Sequence, residues 1–270
     1  MVNGGFAATS DFGGYYTWHE EGGAMNNAFT YDYAGIYSED TWKLTLDEQY
    51  DPKKAGMAMY WGDKSLWNLK DDGSFNSMNT SKPATKREYA TTTTSQASRY
   101  AIGTTMPKLN GGFDTSFRIY NFDLSATFDF QLGGKVFDSS YQALMTPETG
   151  TNVTARTFHK DILNAWTPTN TNTDIPRFQY NDDYTAANST RFLTSARYLN
   201  FQSFSVGYTL PKSLTAKLSL SKVRVYAQGQ NLCFWSVRKG FDPRYSFGQT
   251  ASTNVYSPVR TISGGVQVTF

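Results

Sequence analysis

The run of residues 260–270 constrains the fold more than any other stretch. Ile262, Val266, Val268 and Phe270 fall on one parity, and Ser263, Gln267 and Thr269 fall on the other. A period of two places alternate side chains on opposite faces of an extended chain, so this is a strand with one apolar and one polar face. Its length, about ten residues, is that of a tilted strand crossing a bilayer. The same pattern recurs upstream. Phe113, Thr115, Phe117 and Ile119 alternate with Asp114, Ser116, Arg118 and Tyr120. After a tight turn near Asn121, Phe122, Leu124, Ala126, Phe128, Phe130 and Leu132 alternate with Asp123, Ser125, Thr127, Asp129 and Gln131, and Gly133-Gly134 ends the run. These spacings predict a β-hairpin.

Two further strands follow. Over residues 198–209 the apolar set is Leu199 and Phe201, then Phe204, Val206 and Tyr208. That switch of parity predicts a β-bulge between Gln202 and Ser203. From Lys222 to Phe234, Lys222, Arg224, Gln228 and Gln230 share one parity, and Val223, Val225, Ala227 and Gly229 share the other. A Lys or Arg facing lipid at mid-bilayer costs about 2–4 kcal/mol, so in a barrel the charged parity lines the lumen.

Composition narrows the alternatives. No run approaches the ~18 consecutive apolar residues of a membrane helix. Aromatics reach 16%, with 18 Tyr and 19 Phe, which suits either a soluble all-β protein or a membrane barrel whose strands hide half their side chains. A net charge of +2 without a basic patch gives no footprint for nucleic acid. Cys233 is the single cysteine, which excludes an intrachain disulfide and a multi-thiolate metal site. His19 and His159 are far apart in sequence and show no metal-ligand spacing. The carboxylate pairs Glu20-Glu21, Asp47-Glu48 and Asp182-Asp183 sit in polar stretches and read as solvated, and there is no nucleophile elbow or phosphate loop. The chain is therefore read as a non-enzyme without metal or cofactor. Its first residues lack the charged and apolar regions of a signal peptide, so an exported chain of this kind is read as a C-terminal piece of a longer one.

Several of these stretches together resemble the C-terminal end of SusC/RagA-type TonB-linked outer-membrane transporters. They are Ile102-Gly103…Pro107…Gly111-Gly112-Phe113, Phe122-Asp123-Leu124-Ser125, Trp166-Thr167-Pro168…Asp174-Ile175-Pro176-Arg177, Val206-Gly207-Tyr208-Thr209-Leu210-Pro211-Lys212, Val223-Arg224-Val225-Tyr226…Gln230-Asn231-Leu232, Gly240-Phe241-Asp242-Pro243 and the terminal Phe270. The resemblance covers residues 98–270 well and 24–97 weakly. It implies import of oligosaccharides or peptides across the Gram-negative outer membrane, a SusD-like surface lipoprotein as partner, and energy from the TonB complex through parts of the protein outside this chain. It also implies that Phe270, with Val268 and Val266, is the address read by the barrel-assembly machinery. Only Asp71-Asp72-Gly73 stands where family members often carry a calcium-like loop, without the regular ligand spacing. Arg244 stands where the family usually has an acid.

The expected fold is all-β, with antiparallel up-and-down strands forming the C-terminal part of a barrel of about 22 strands. Residues 1–111 are expected to be mostly loop with a few strands, including one over residues 28–36. Residues 112–270 are expected to carry the barrel strands, with long extracellular loops at 136–197 and 235–259. Residues 155–166 read as a short helix with Phe158, Ile162 and Trp166 on one face, and residues 76–97 as an exposed polar linker or loop tip. The loop aromatics Trp166, Phe234, Trp235, Tyr245 and Phe247 are candidate sugar-stacking residues, although Phe234 and Trp235, at a strand end, equally suit an interfacial aromatic girdle facing outer-membrane lipid. A passive porin and a secreted soluble β-sandwich that binds glycans are the other readings these patterns allow.

Overall fold

A computed structural model describes residues 6–9, 16–24, 26–147, 157–182, 184–237, 242–245 and 258–270. The chain divides into two compact units. One is drawn from residues 1–106 and 135–194, the other from residues 107–134, 195–245 and the last strand.

The first unit begins with β1 (Phe6–Thr9), β2 (Tyr16–His19), β3 (Asn27–Tyr31) and β4 (Tyr33–Ile36). It continues with β5 (Ala58–Gly62), β6 (Trp67–Leu69), β7 (Phe75–Met78), β8 (Tyr89–Thr91) and β9 (Arg99–Thr104). The second unit opens with β10 (Leu109–Ile119) and β11 (Phe122–Leu132). The chain then returns to the first unit for β12 (Lys135–Phe137), α1 (Ser139–Met145) and β13 (Leu193–Ser195). It ends in the second with β14 (Tyr198–Thr209), the short α2 (Lys212–Thr215), β15 (Lys222–Ser236) and β16 (Thr261–Thr269).

The second unit is one antiparallel sheet in the order β10-β11-β14-β15-β16. Its hairpin turns at Tyr120 and Asn121, with Tyr120 at φ 54. Pairing is in register from Leu109↔Leu132 to Ile119↔Phe122. The bulge lies where the parity switch puts it. Thr127 and Phe128 are neighbours on β11, yet they pair with Ser203 and Phe201, leaving Gln202 extra. On the other side, β15 sets two residues, Asn231 (φ 52) and Leu232, between the partners of Ser203 and Phe201. The inserted residue keeps the apolar set of β14 on one face through the irregularity.

That face carries large side chains that no other described residue covers. Phe117 is 58% exposed, Ile119 63%, Val266 62% and Ile262 75%. Across it Phe113, Phe128 and Phe201 form a stacked row, with centroids 4.7 and 4.5 Å apart. A continuous apolar sheet face of this size would aggregate in water, and it matches the lipid-facing band of a membrane barrel.

The first unit is built differently. It holds a four-stranded sheet β1-β2-β3-β9, a three-stranded sheet β4-β5-β8 and two-stranded pairs β6-β7 and β12-β13. Small aromatic cores tie it together: Tyr37 and Met59 with Ala90, Tyr60 with Ala58 and Ala97, and Phe137 with Met145 and Phe192. The segment 157–194, expected as a loop, packs with residues 26–100 in this unit through long-range bonds. The Arg177 guanidinium donates to the carbonyls of Lys53 (2.8 Å) and Ala55 (2.9 Å). Tyr33 and Thr30 donate to the carbonyls of Asp174 and Asn188.

Three local expectations are corrected. The strand over 28–36 is broken at Asp32, whose carboxylate accepts from Arg87 (2.6 Å) and Thr190 (3.0 Å), and its halves β3 and β4 join different sheets. Residues 76–97 are no exposed linker. They contain β8, and Thr91, Thr92, Ala97 and the following Ser98 are buried. Residues 157–166 form only a 3₁₀ turn over Lys160–Asn164, and residues 155 and 156 lie outside the described residues. At about three residues per turn, positions four apart no longer stack on one face. Phe158 packs edge-on to Phe178, Ile162 joins the Phe137 core and Trp166 covers Gly56.

Candidate functional site in the polar face of the strand wall

The polar face of the five-stranded wall runs from the short turns at 120–121 and 210–221 to the ends of β14 and β15. Register places Asp123, Ser125, Thr127 and Asp129 of β11 beside Gly207, Ser205, Ser203 and Asn200 of β14. These in turn lie beside Tyr226, Gln228, Gln230 and Phe234 of β15. Hydroxyls and amides dominate, with charges at the two ends.

Near the short turns, Arg224 crosses β14 to grip Asp123 with both arms of its guanidinium. Nε donates to Oδ1 at 3.0 Å, and Nη2 donates to Oδ2. The crossing needs Gly207, because a Cβ there would sit 2.3 Å from Arg224 Nη2. Gly265 gives the same clearance to Tyr226, whose hydroxyl would lie 2.7 Å from an added Cβ. The Arg224 guanidinium also lies 5.1 Å from the Tyr226 ring. Glycine on the polar face is thus the room that long side chains need to lie flat on the wall.

At the other end, Asn200 is buried and donates from Nδ2 to Asp129 Oδ1 at 2.7 Å. Its own Oδ1 has no hydrogen-bond partner among the described residues. Beside it Tyr198 and Phe234 stack at 5.5 Å. The Arg244 guanidinium lies 4.6 Å from Phe234 and 5.7 Å from Tyr198. Asp242 accepts from Arg244 Nε (2.9 Å) and Nη2 (2.6 Å), so the cation is paired. This end offers two aromatic rings and an oriented guanidinium, a set able to bind a polar ligand with flat apolar faces.

The structure places Phe234, one of the five candidate aromatics, at this end of the polar face. Trp235 pairs with Leu199 and so lies on the apolar face, 51% exposed, while its neighbour Phe234 takes the polar face. Trp166 belongs to the other unit, where it lies over Gly56 with its indole N–H enclosed. Tyr245 sits in the 3₁₀ turn Pro243–Tyr245, and its side chain lies outside the described residues, as does all of Phe247. Tyr198, Asn200 and Asp129 were not singled out from sequence, although counting parity from Arg224 puts Phe234 inside and Trp235 outside. Val266 and Val268 stand on the apolar face of β16, followed by Phe270, 90% exposed. Among the described residues no cluster of His, Cys, Asp or Glu could hold a metal ion.

No family model matches the chain. It is 29% identical over 263 residues to TonB-dependent receptor P3 of Formosa agariphila, covering 93% of this chain and 22% of that protein. It is 25% identical over 178 residues to TonB-dependent receptor P26 of the same organism, covering 63% of this chain and 18% of that one. The chain thus spans about a fifth of the length of the curated relatives it matches. Among solved structures it is similar to the RagAB peptide transporter, with a TM-score of 0.66 at 21% identity, covering 98% of this chain and 25% of that one. The RagAB peptide importer in its closed-closed state gives 0.64 at 22%, covering 100% and 25%. By sequence the chain is similar to part of the TonB-dependent receptors P3 and P26, and its fold is similar to that of about a quarter of the RagAB transporter chain.

Proposed function

We propose that the chain is part of a TonB-dependent importer that carries oligosaccharides or peptides across the outer membrane, working with a SusD-like surface lipoprotein. The carrying observation is the two-faced wall. Its apolar face suits lipid, and its polar face is lined by hydroxyls, amides and gripped charges, as a hydrated translocation path requires. The Tyr198–Phe234–Arg244 cluster is the part of that face best suited to contact a passing ligand. Trp235, on the lipid side, serves the interfacial girdle, and Phe270 with Val268 and Val266 forms the barrel-assembly address. TonB acts through segments outside this chain.

Deleting the full-length gene should remove saturable, energy-dependent uptake of labelled oligosaccharide or peptide, and deleting TonB should do the same. Uptake that stays linear with concentration and survives loss of TonB would overturn importer function in favour of a passive porin. Co-purification of a lipoprotein with the tagged full-length protein tests the partner.

A further inference from the structure

The first unit contains an open cleft of about 330 Å³, within the ~300–1,000 Å³ range of small-ligand sites. The β6–β7 hairpin forms one wall and residues 94–99 with Tyr31 form the other. Its shape is held from behind. The Trp67 ring meets Phe75 edge-on at 5.2 Å, and its N–H donates to the Tyr89 hydroxyl, which donates to the Gln96 carbonyl. Ser98 donates to the sulfur of Met78 at 3.4 Å.

The lining has a definite chemistry. Phe75 and Tyr31 contribute aromatic rings. The side chains of Asn76, Thr80, Thr94 and Ser95 make no hydrogen bond to any described residue. Among the described residues of the lining, Arg99 is the one that is charged, and none is Asp or Glu. Its guanidinium lies 4.3 Å from the Tyr16 ring and 5.1 Å from the Tyr31 ring, and no described carboxylate pairs with it. Ring contacts of this kind hold a guanidinium in place, and its N–H edge is the group that binds carboxylates.

The geometry points to a subsite for an acidic sugar residue, one ring of a uronate-containing oligosaccharide. The aromatic walls meet the C–H face of the ring, the amide and hydroxyl groups meet its hydroxyls, and Arg99 takes the carboxylate. A peptide fits less well, because the described residues of the lining offer no anion for an ammonium group. The inference rests on the import reading for its biological use but not for the binding itself.

The test is calorimetric titration of the full-length protein in detergent with disaccharides of galacturonate and of glucuronate, their methyl esters, and an acidic dipeptide. Saturable binding of at least one uronate disaccharide, weakened about tenfold or more by esterification, is expected. Arg99→Gln should lower affinity for the acid by about the same factor and leave the ester unchanged. Ser95→Trp, from an exposed position on the cleft wall, should block both while leaving the heat stability of the barrel unaltered. Absence of binding by either uronate, equal binding of acid and ester, preference for the dipeptide, or an Arg99→Gln protein that binds as before would each overturn the site. Failure here with uptake intact would sink the subsite alone, whereas binding without uptake would sink the import function.

Discussion

An arginine placed on each face of β15 separates a barrel wall from a soluble sandwich. Ala227 and Gln228 are neighbours in sequence and face opposite ways, since Ala227 pairs with Val206 and Gly264 while Gln228 pairs with Ser205 and Ser263. Ala227 is five residues from the start of β15 at Lys222. At ~3.3 Å per residue that is ~17 Å along the strand, and a tilt of ~45° reduces it to ~12 Å of depth. The apolar band of such barrels is ~25 Å tall, so Ala227 sits near its middle. Ala227→Arg should therefore destabilise the full-length barrel by about 2–4 kcal/mol, a factor of roughly 30–700 in the folding equilibrium. Gln228→Arg adds a cation to a hydrated face that already holds Lys222 and Arg224, and should stay within about 0.5 kcal/mol. Urea unfolding in lipid vesicles, read by tryptophan fluorescence and by gel mobility of unheated samples, measures both. Equal losses for the two variants, or a larger loss for Gln228→Arg, would refute the assignment of faces.

Three further predictions follow from individual contacts. Gly207→Ala forces the flexible end of Arg224 off Asp123 and should lower stability by about 1 kcal/mol, with no further loss when Asp123→Asn is added, because the ion pair is already broken. Gly56→Ala places a methyl 2.3 Å from Trp166 Cε3 at a φ of +80, and should cost about 2 kcal/mol or more and open residues 157–177 to limited proteolysis. Asp63 is fully enclosed; burial acts to raise its pKa, but donation from Ser65 (both hydroxyl and N–H), Lys86 and Thr85 outweighs burial and holds it below the usual carboxylate range. Because the folded value is depressed, its contribution is complete above the unfolded pKa of ~3.9 and is lost as pH falls through the folded value. Asp63→Asn should cost about 1–3 kcal/mol at neutral pH and flatten stability against pH below ~4.

Much of the wall was legible because its signal is local. Alternation has a period of two, so side-chain facing follows from neighbours alone, and even the bulge at Gln202 shows as a slip in parity. The same count would have sent Trp235 to the lipid side and Phe234 to the lumen. The first unit carried no such period. Its strands are three to six residues long, and its order comes from contacts between residues more than a hundred positions apart, such as Arg177 with Lys53. Trp166 reads from sequence as a stacking residue, but Gly56 supplies the surface it covers, and nothing near Trp166 in the chain announces that glycine. The Thr-rich run at 91–95 has the composition of a linker, yet pairing of β8 with β5 buries its start and turns its end into a cleft wall. For the five-stranded wall, the sequence by itself determined which strands form and which face each side chain takes, because those depend on the pleat. Only the tertiary structure decided which distant residues share a site, because closing long loops onto one another is set by packing partners that no short window contains.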